Sequence, residues 1–159
     1  MELREDFDNE RAINAVLYIA EKLDRKIFHK IFKILYFSDI EHLVKYGRTI
    51  TGDVYIRMLD GPVPSALYDI FLLHPAEKAD LDYLSETDIE CINISFEKYS
   101  SLSWAEIREL PHNQVWQNTV INKPISLENM YLVLSNDLEY LNFIKENLAF
   151  SNALKSNGF

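Results

Sequence analysis

The sequence predicts an α+β fold that is predominantly α-helical: one compact domain of several helices around a buried central helix, with a small antiparallel β element. Three observations lead there. The chain has 159 residues, 48% hydrophobic and 26% charged, which suits one domain with a packed core. One segment, residues 25–47, carries apolar side chains over more than half of a helical circumference. Just beyond it the apolar period switches briefly from helical to alternating. The domain is expected to span residues 1–159, with about 136–159 as a C-terminal helical extension.

The elements follow in order. In "DNERAINAVLYIAEKL", Asp8 is placed to cap a helix on which Ala12, Ile13, Val16, Leu17, Ile19 and Ala20 recur at helical spacing. Asp24 restarts the pattern for "RKIFHKIFKILYFSDIEHLVKYG", the central helix, and Gly47 is placed to end it in a left-handed cap. "DVYIRMLDG" alternates and reads as a strand entered through a Thr51-Gly52-Asp53 turn and left through Gly61-Pro62. Pro64 suits the first position of another helix running through Leu67, Ile70 and Phe71. "HPAEKADLDYLSETD" is a polar connection, and "ECINISF" alternates as a second strand. Helical character returns in "SLSWAEIREL", up to Pro111, and again from a Ser126 cap to about Leu154.

Charge narrows the partners. Residues 1–60 hold 10 Lys/Arg against 11 Asp/Glu, a balance of −1, and residues 61–159 hold 6 against 14, a balance of −8. A face that neutralises phosphates must be basic, so nucleic acid is disfavoured, although Arg25, Lys26, Lys30 and Lys33 could form a local patch. No apolar run is long enough to span a bilayer, the first ten residues are acidic and polar, and Cys91 is the only cysteine. These features exclude a membrane partner and an ordinary signal peptide and lead to the expectation of a cytoplasmic protein.

Candidate chemistry is sparse. Asp39 and His42, three apart on the central helix, share a face that suits an acid–base pair or part of a metal site. Asp53 and His112 are the other titratable groups that could join them in an enzyme or metal-binding reading. The ordinary reading is a polar helix end on which the helix dipole favours His42 as a cation. No two-histidine zinc spacing, phosphate loop, dinucleotide fingerprint or nucleophile elbow occurs, so no cofactor and no catalysis are expected. His112 and Trp116, four apart, are candidate contact residues. So is the C-terminal segment, where Leu138, Leu141, Ile144, Leu148 and Phe150 fall near one stripe.

Taken together, "KILYFSDIEHLVKYGRTITGDVYIRMLDGPVPSALYD" resembles the signature of the Panacea domain, the SocA-like antitoxin family once catalogued as a phage-associated domain. Lys33, Tyr36 and Asp39 match its helix, and Gly47, Thr51, Gly52 and Asp53 match its turn. Tyr55, Gly61, Pro62, Tyr68 and Asp69 continue the match through the strand and beyond. "LSWAEIRELPHNQVWQ" is similar to a second block, through Leu102, Leu110, His112 and Trp116, and the resemblance covers about residues 10–135. Phe32, Arg57 and Pro111 depart from the family pattern. The resemblance implies an antitoxin that neutralises a co-encoded toxin protein by direct binding, with a cellular protease as a further partner where the antitoxin acts as an adaptor. It also implies that the signature residues determine the fold rather than perform catalysis.

Overall fold

A computed structural model describes residues 5–23, 28–73, 77–109 and 118–158. Its spine is α2, Phe28–Tyr46, in which Ile31 to Leu43 are all buried. A helix apolar nearly all round must be enclosed, and its two halves serve two hydrophobic clusters. Ile31, Phe32, Ile34 and Leu35 pack with α1, Asn9–Lys22, and with Leu67, Phe71, Cys91 and Ile92. Tyr36, Phe37, Ile40 and Leu43 pack with Tyr55, Ile125, Met130, Tyr131, Leu141 and Ile144. Asp8 caps α1 as its side chain accepts from the Arg11 amide at 3.1 Å. Gly47, at φ +82°, ends α2 with its amide donating to the Leu43 carbonyl at 3.0 Å. Asp24 lies outside the described residues.

Among the described residues the β element is one antiparallel hairpin, β1 (Tyr55–Met58) with β2 (Gly61–Pro64). Gly61-Pro62 is therefore the second strand rather than the exit turn, and the reversal is made by Leu59 and Asp60. Pro64 closes β2 opposite Tyr55 and does not start a helix; α3 begins later, at Leu67, and runs to Leu72. Both edges of the hairpin are closed. On the β1 side Arg57 donates its amide to the Lys123 carbonyl at 3.0 Å, and Ile125 donates to the Tyr55 carbonyl at 2.8 Å. On the β2 side the register leaves Pro62 and Pro64 facing outward, and neither has an N–H to offer.

"ECINISF" is a helix and not a strand. It lies inside α4, Glu86–Tyr99, where Asp88, Cys91, Ile92 and Ser95 are buried at helical spacing. Its start is written in the sequence: the Ser85 hydroxyl accepts from the Asp88 amide at 3.1 Å while the Asp88 carboxylate accepts from the Ser85 amide at 2.9 Å. A 3-10 turn, Leu81–Tyr83, precedes it and the short α5, Trp104–Glu109, follows. The helix expected from Ser126 to about Leu154 is two helices. Ser126 caps α6, Leu127–Tyr131, and after a break Asp137 caps α7, Leu138–Ser156. The break has a local cause: the Ser135 hydroxyl accepts from the Asp137 amide at 3.2 Å, and the Tyr131 hydroxyl donates to the Asp137 carbonyl at 2.8 Å.

Candidate functional site

The signature residues meet in one buried polar knot where the chain leaves α2. Asp39 projects from the helix, and its carboxylate accepts four hydrogen bonds. They come from the Ile50 amide at 2.7 Å, the Thr51 amide at 3.1 Å, the Thr51 hydroxyl at 2.8 Å and the Tyr55 hydroxyl at 2.6 Å. Burial pushes this carboxyl up to about 7, with the four donors pulling the other way. The Thr51 hydroxyl oxygen also accepts from the Asp53 amide at 3.0 Å, which joins the two carboxylates through the turn.

Asp53 in turn accepts from the Ala66 amide at 3.0 Å and the Leu67 amide at 2.9 Å. The residue before α3, Ala66, has no side-chain oxygen with which to cap it. Asp53 therefore serves as the N-terminal cap of α3 from 13 and 14 residues upstream. Burial raises the Asp53 carboxyl as well. Two glycines are required here. At Gly52, φ +68°, a Cβ would lie 2.0 Å from the Asp6 carbonyl oxygen, because the N-terminal segment crosses the turn there. That segment is tied down by the Asp8 amide donating to the Thr51 carbonyl at 3.1 Å and by the Glu5 carboxylate accepting from the Thr49 amide at 2.9 Å. At Gly61 the left-handed φ of +129° favours glycine in its own right, and the end of the Lys33 side chain lies where a Cβ would be, its Cε 2.2 Å away.

Lys33 is thus buried under the hairpin and does not contribute to a surface patch. Lys30 donates to the Leu102 carbonyl at 2.9 Å, and Arg25 and Lys26 lie outside the described residues. Beside Lys33 the hairpin forms a mostly apolar groove of about 340 Å³ with Met58, Leu59, Val63 and Tyr68 in its wall. Tyr68 packs on Phe28 and Phe32, and Phe32 also meets Phe71, so the Phe32 departure is absorbed as an aromatic cluster. Arg57, the second departure, donates to the Thr119 carbonyl and ties the hairpin to the segment that covers it. Pro111 lies outside the described residues.

Asp39 and His42 share α2 but not a site. His42 is buried; its Nδ1 lies 2.8 Å from the Arg48 carbonyl and its Nε2 lies 2.9 Å from the Thr87 hydroxyl. A carbonyl can only accept, so Nδ1 carries the hydrogen, and neutral Nε2 accepts from Thr87. Burial lowers the His42 pKa, which corrects the expectation of a cation favoured by the helix dipole. Asp88 lies 3.3 Å from Nε2 and 3.0 Å from Arg48, completing a joint between α4 and the turn. Asp39, His42 and Asp53 are each committed to separate backbone partners. Among the described residues no group of three or more His, Cys, Asp or Glu is placed to hold a metal. His112 and Trp116 lie outside the described residues.

The five residues grouped on the C-terminal helix have different environments. Leu141 and Ile144 are buried, Leu148 is half-buried, and Leu138 and Phe150 are exposed. Phe150 follows Leu148 by two residues, about 200° around a helix, and so faces away from the core. The outward side also carries Phe143, which the sequence reading left out. Glu5 was missed too, because no local pattern ties it to a turn more than forty residues away.

Among the described residues no helix is long and apolar enough to cross a membrane. Comparison with curated proteins and with solved structures finds no significant match. A family model described as "Antitoxin SocA-like, Panacea domain" matches residues 31–117, more than half of the chain. Its span takes in α2, the polar knot, the hairpin and α4, so this chain belongs to the SocA-like antitoxin family and carries its Panacea domain.

Proposed function

We propose that the protein is an antitoxin that neutralises a co-encoded toxin by stoichiometric protein–protein contact. The observation that carries this reading is the family match over residues 31–117. The geometry of the matched signature supports it. Asp39 and Asp53 accept hydrogen bonds from backbone amides and neighbouring hydroxyls, a role that shapes a scaffold. Recognition then falls to exposed surface. Leu138 and Phe150 on α7 are proposed contact residues, as are His112 and Trp116. The net charge of −9 favours a basic protein partner over nucleic acid. Delivery of the bound toxin to a cellular protease in the cytoplasm is the further step this reading allows.

Co-expression with the product of the adjacent gene tests the proposal. That product alone should arrest growth, this chain should relieve the arrest, and the two should co-purify in a fixed ratio. A harmless neighbour, or a toxic one that this chain neither binds nor relieves, would overturn the reading.

A further inference from the structure

The helix α7 presents two different faces. Inward, Leu141 and Ile144 are buried, and both lysines of the helix form surface pairs with the body of the chain, Lys145 with Glu128 at 3.1 Å and Lys155 with Asp6. Outward, Phe143 is 56% exposed, Phe150 66% and Leu154 37%. Tyr140, half-buried, stacks on Phe143 at a ring separation of 6.1 Å. Tyr140, Phe143, Asn147, Phe150 and Leu154 are spaced 3, 4, 3 and 4 residues apart, the spacing of a two-heptad seam that accepts another helix. One edge of this seam is acidic. Glu139 and Glu146, seven residues apart, are both exposed, and neither forms an ion pair among the described residues.

We propose that this outward face of α7 docks an amphipathic helix of a partner protein whose apolar seam is flanked by lysine or arginine. Two features select that occupant. The heptad spacing asks for a helix, with Asn147 as the one polar position that a facing side chain must satisfy. Both lysines of α7 are paired with carboxylates of this chain, while Glu139 and Glu146 stand exposed and unpaired among the described residues, so this side is negative and complements a basic flank. A second copy of this chain is a poorer fit. Each copy carries −9, and an antiparallel twofold through Asn147 would set Glu146 against its own mate. That the docked helix belongs to the toxin rests on the antitoxin reading; the docking itself does not.

The test uses the full chain and two labelled 21-residue peptides, each with Leu and Ile at the seam positions, one with Lys and one with Glu at the flanks. The Lys peptide should bind in a fluorescence anisotropy titration, and the Glu peptide at least about tenfold more weakly. Phe143→Ser with Phe150→Ser should weaken the Lys peptide about tenfold or more while leaving the thermal melt in place. Glu139→Lys with Glu146→Lys, which leaves the seam intact, should reverse the peptide preference. Equal binding of the two peptides overturns the proposal, as does undiminished binding by the double Ser variant. Sedimentation showing a dimer that the double Ser variant abolishes would make the occupant a second copy and also overturn it. If the peptides behave as expected and the adjacent gene product does not bind, the docking face stands and the toxin assignment of its occupant falls.

Discussion

The knot at the end of α2 and the outer face of α7 invert the usual rule of burial. In the knot, polar groups are inside: Asp39, Thr49, Thr51 and Asp53 are all buried. On α7, large apolar groups are outside, with Phe143 and Phe150 more than half exposed. The knot is tolerated because its oxygens face amides and hydroxyls at hydrogen-bond distance, so the cost of removing them from water is partly offset. The α7 face has no such internal compensation, and its rings stand against solvent. A region whose interactions are complete within the chain acts as scaffold. One whose interactions are incomplete is where a partner adds free energy.

Substitutions should separate the two regions by size of effect. Asp39→Ala strips the acceptor from two buried amides and two hydroxyls, and should cost about 4 kcal/mol in urea unfolding, the largest single loss. A cost under about 1 kcal/mol would mean that water replaces the carboxylate and that the knot is not rigid. Asp53→Ala removes the remote cap of α3 and should cost about 2 kcal/mol. Retained stability with loss of a measurable turnover would instead turn the comparison towards an enzyme.

His42 gives one of two opposed contributions to the pH dependence. Its pKa is lowered by burial, so its contribution is fully present above its unfolded value of 6.5 and is lost as pH falls through 6.5 toward the depressed folded value. Protonation of Asp39 as pH falls through about 7 favours the folded state and opposes this loss, so the His42 contribution is read as a difference: between pH 8 and 5 the melting temperature of the wild type should fall relative to that of His42→Gln. At neutral pH that variant should cost about 1 kcal/mol for the disturbed bonds to Arg48 and Thr87. The smallest effect belongs to α7, where Phe143→Ser with Phe150→Ser should shift unfolding free energy by less than about 0.5 kcal/mol. A larger loss would show that these rings stabilise the isolated chain and that the face is not vacant.

Much of the architecture was legible wherever one local signal governed. Asp8 and Ser126 mark helix starts through a side-chain oxygen three residues from the amide it meets, and Gly47 marks an end through its left-handed backbone. The misreadings came where local signals competed. "ECINISF" alternates over a few residues, but the Ser85–Asp88 capping box upstream and burial at positions 88, 91, 92 and 95 made it helical. Pro64 suits a helix start as well as a strand end, and only pairing with Tyr55 decided between them. In the site, the resemblance picked out Asp39 and Asp53, while their partners were hidden because they are mostly backbone amides, which no residue type announces.

The sequence by itself determined the buried spine, its end at Gly47 and the family signature, because periodicity, capping and glycine geometry act over a few residues. The tertiary structure alone decided that Asp39 and Asp53 are bound to backbone and that Lys33 lies beneath Gly61. It alone decided which face of α7 looks outward. Those outcomes depend on which surfaces meet across distant parts of the chain, and the free energy of burial is fixed only when both surfaces are in place.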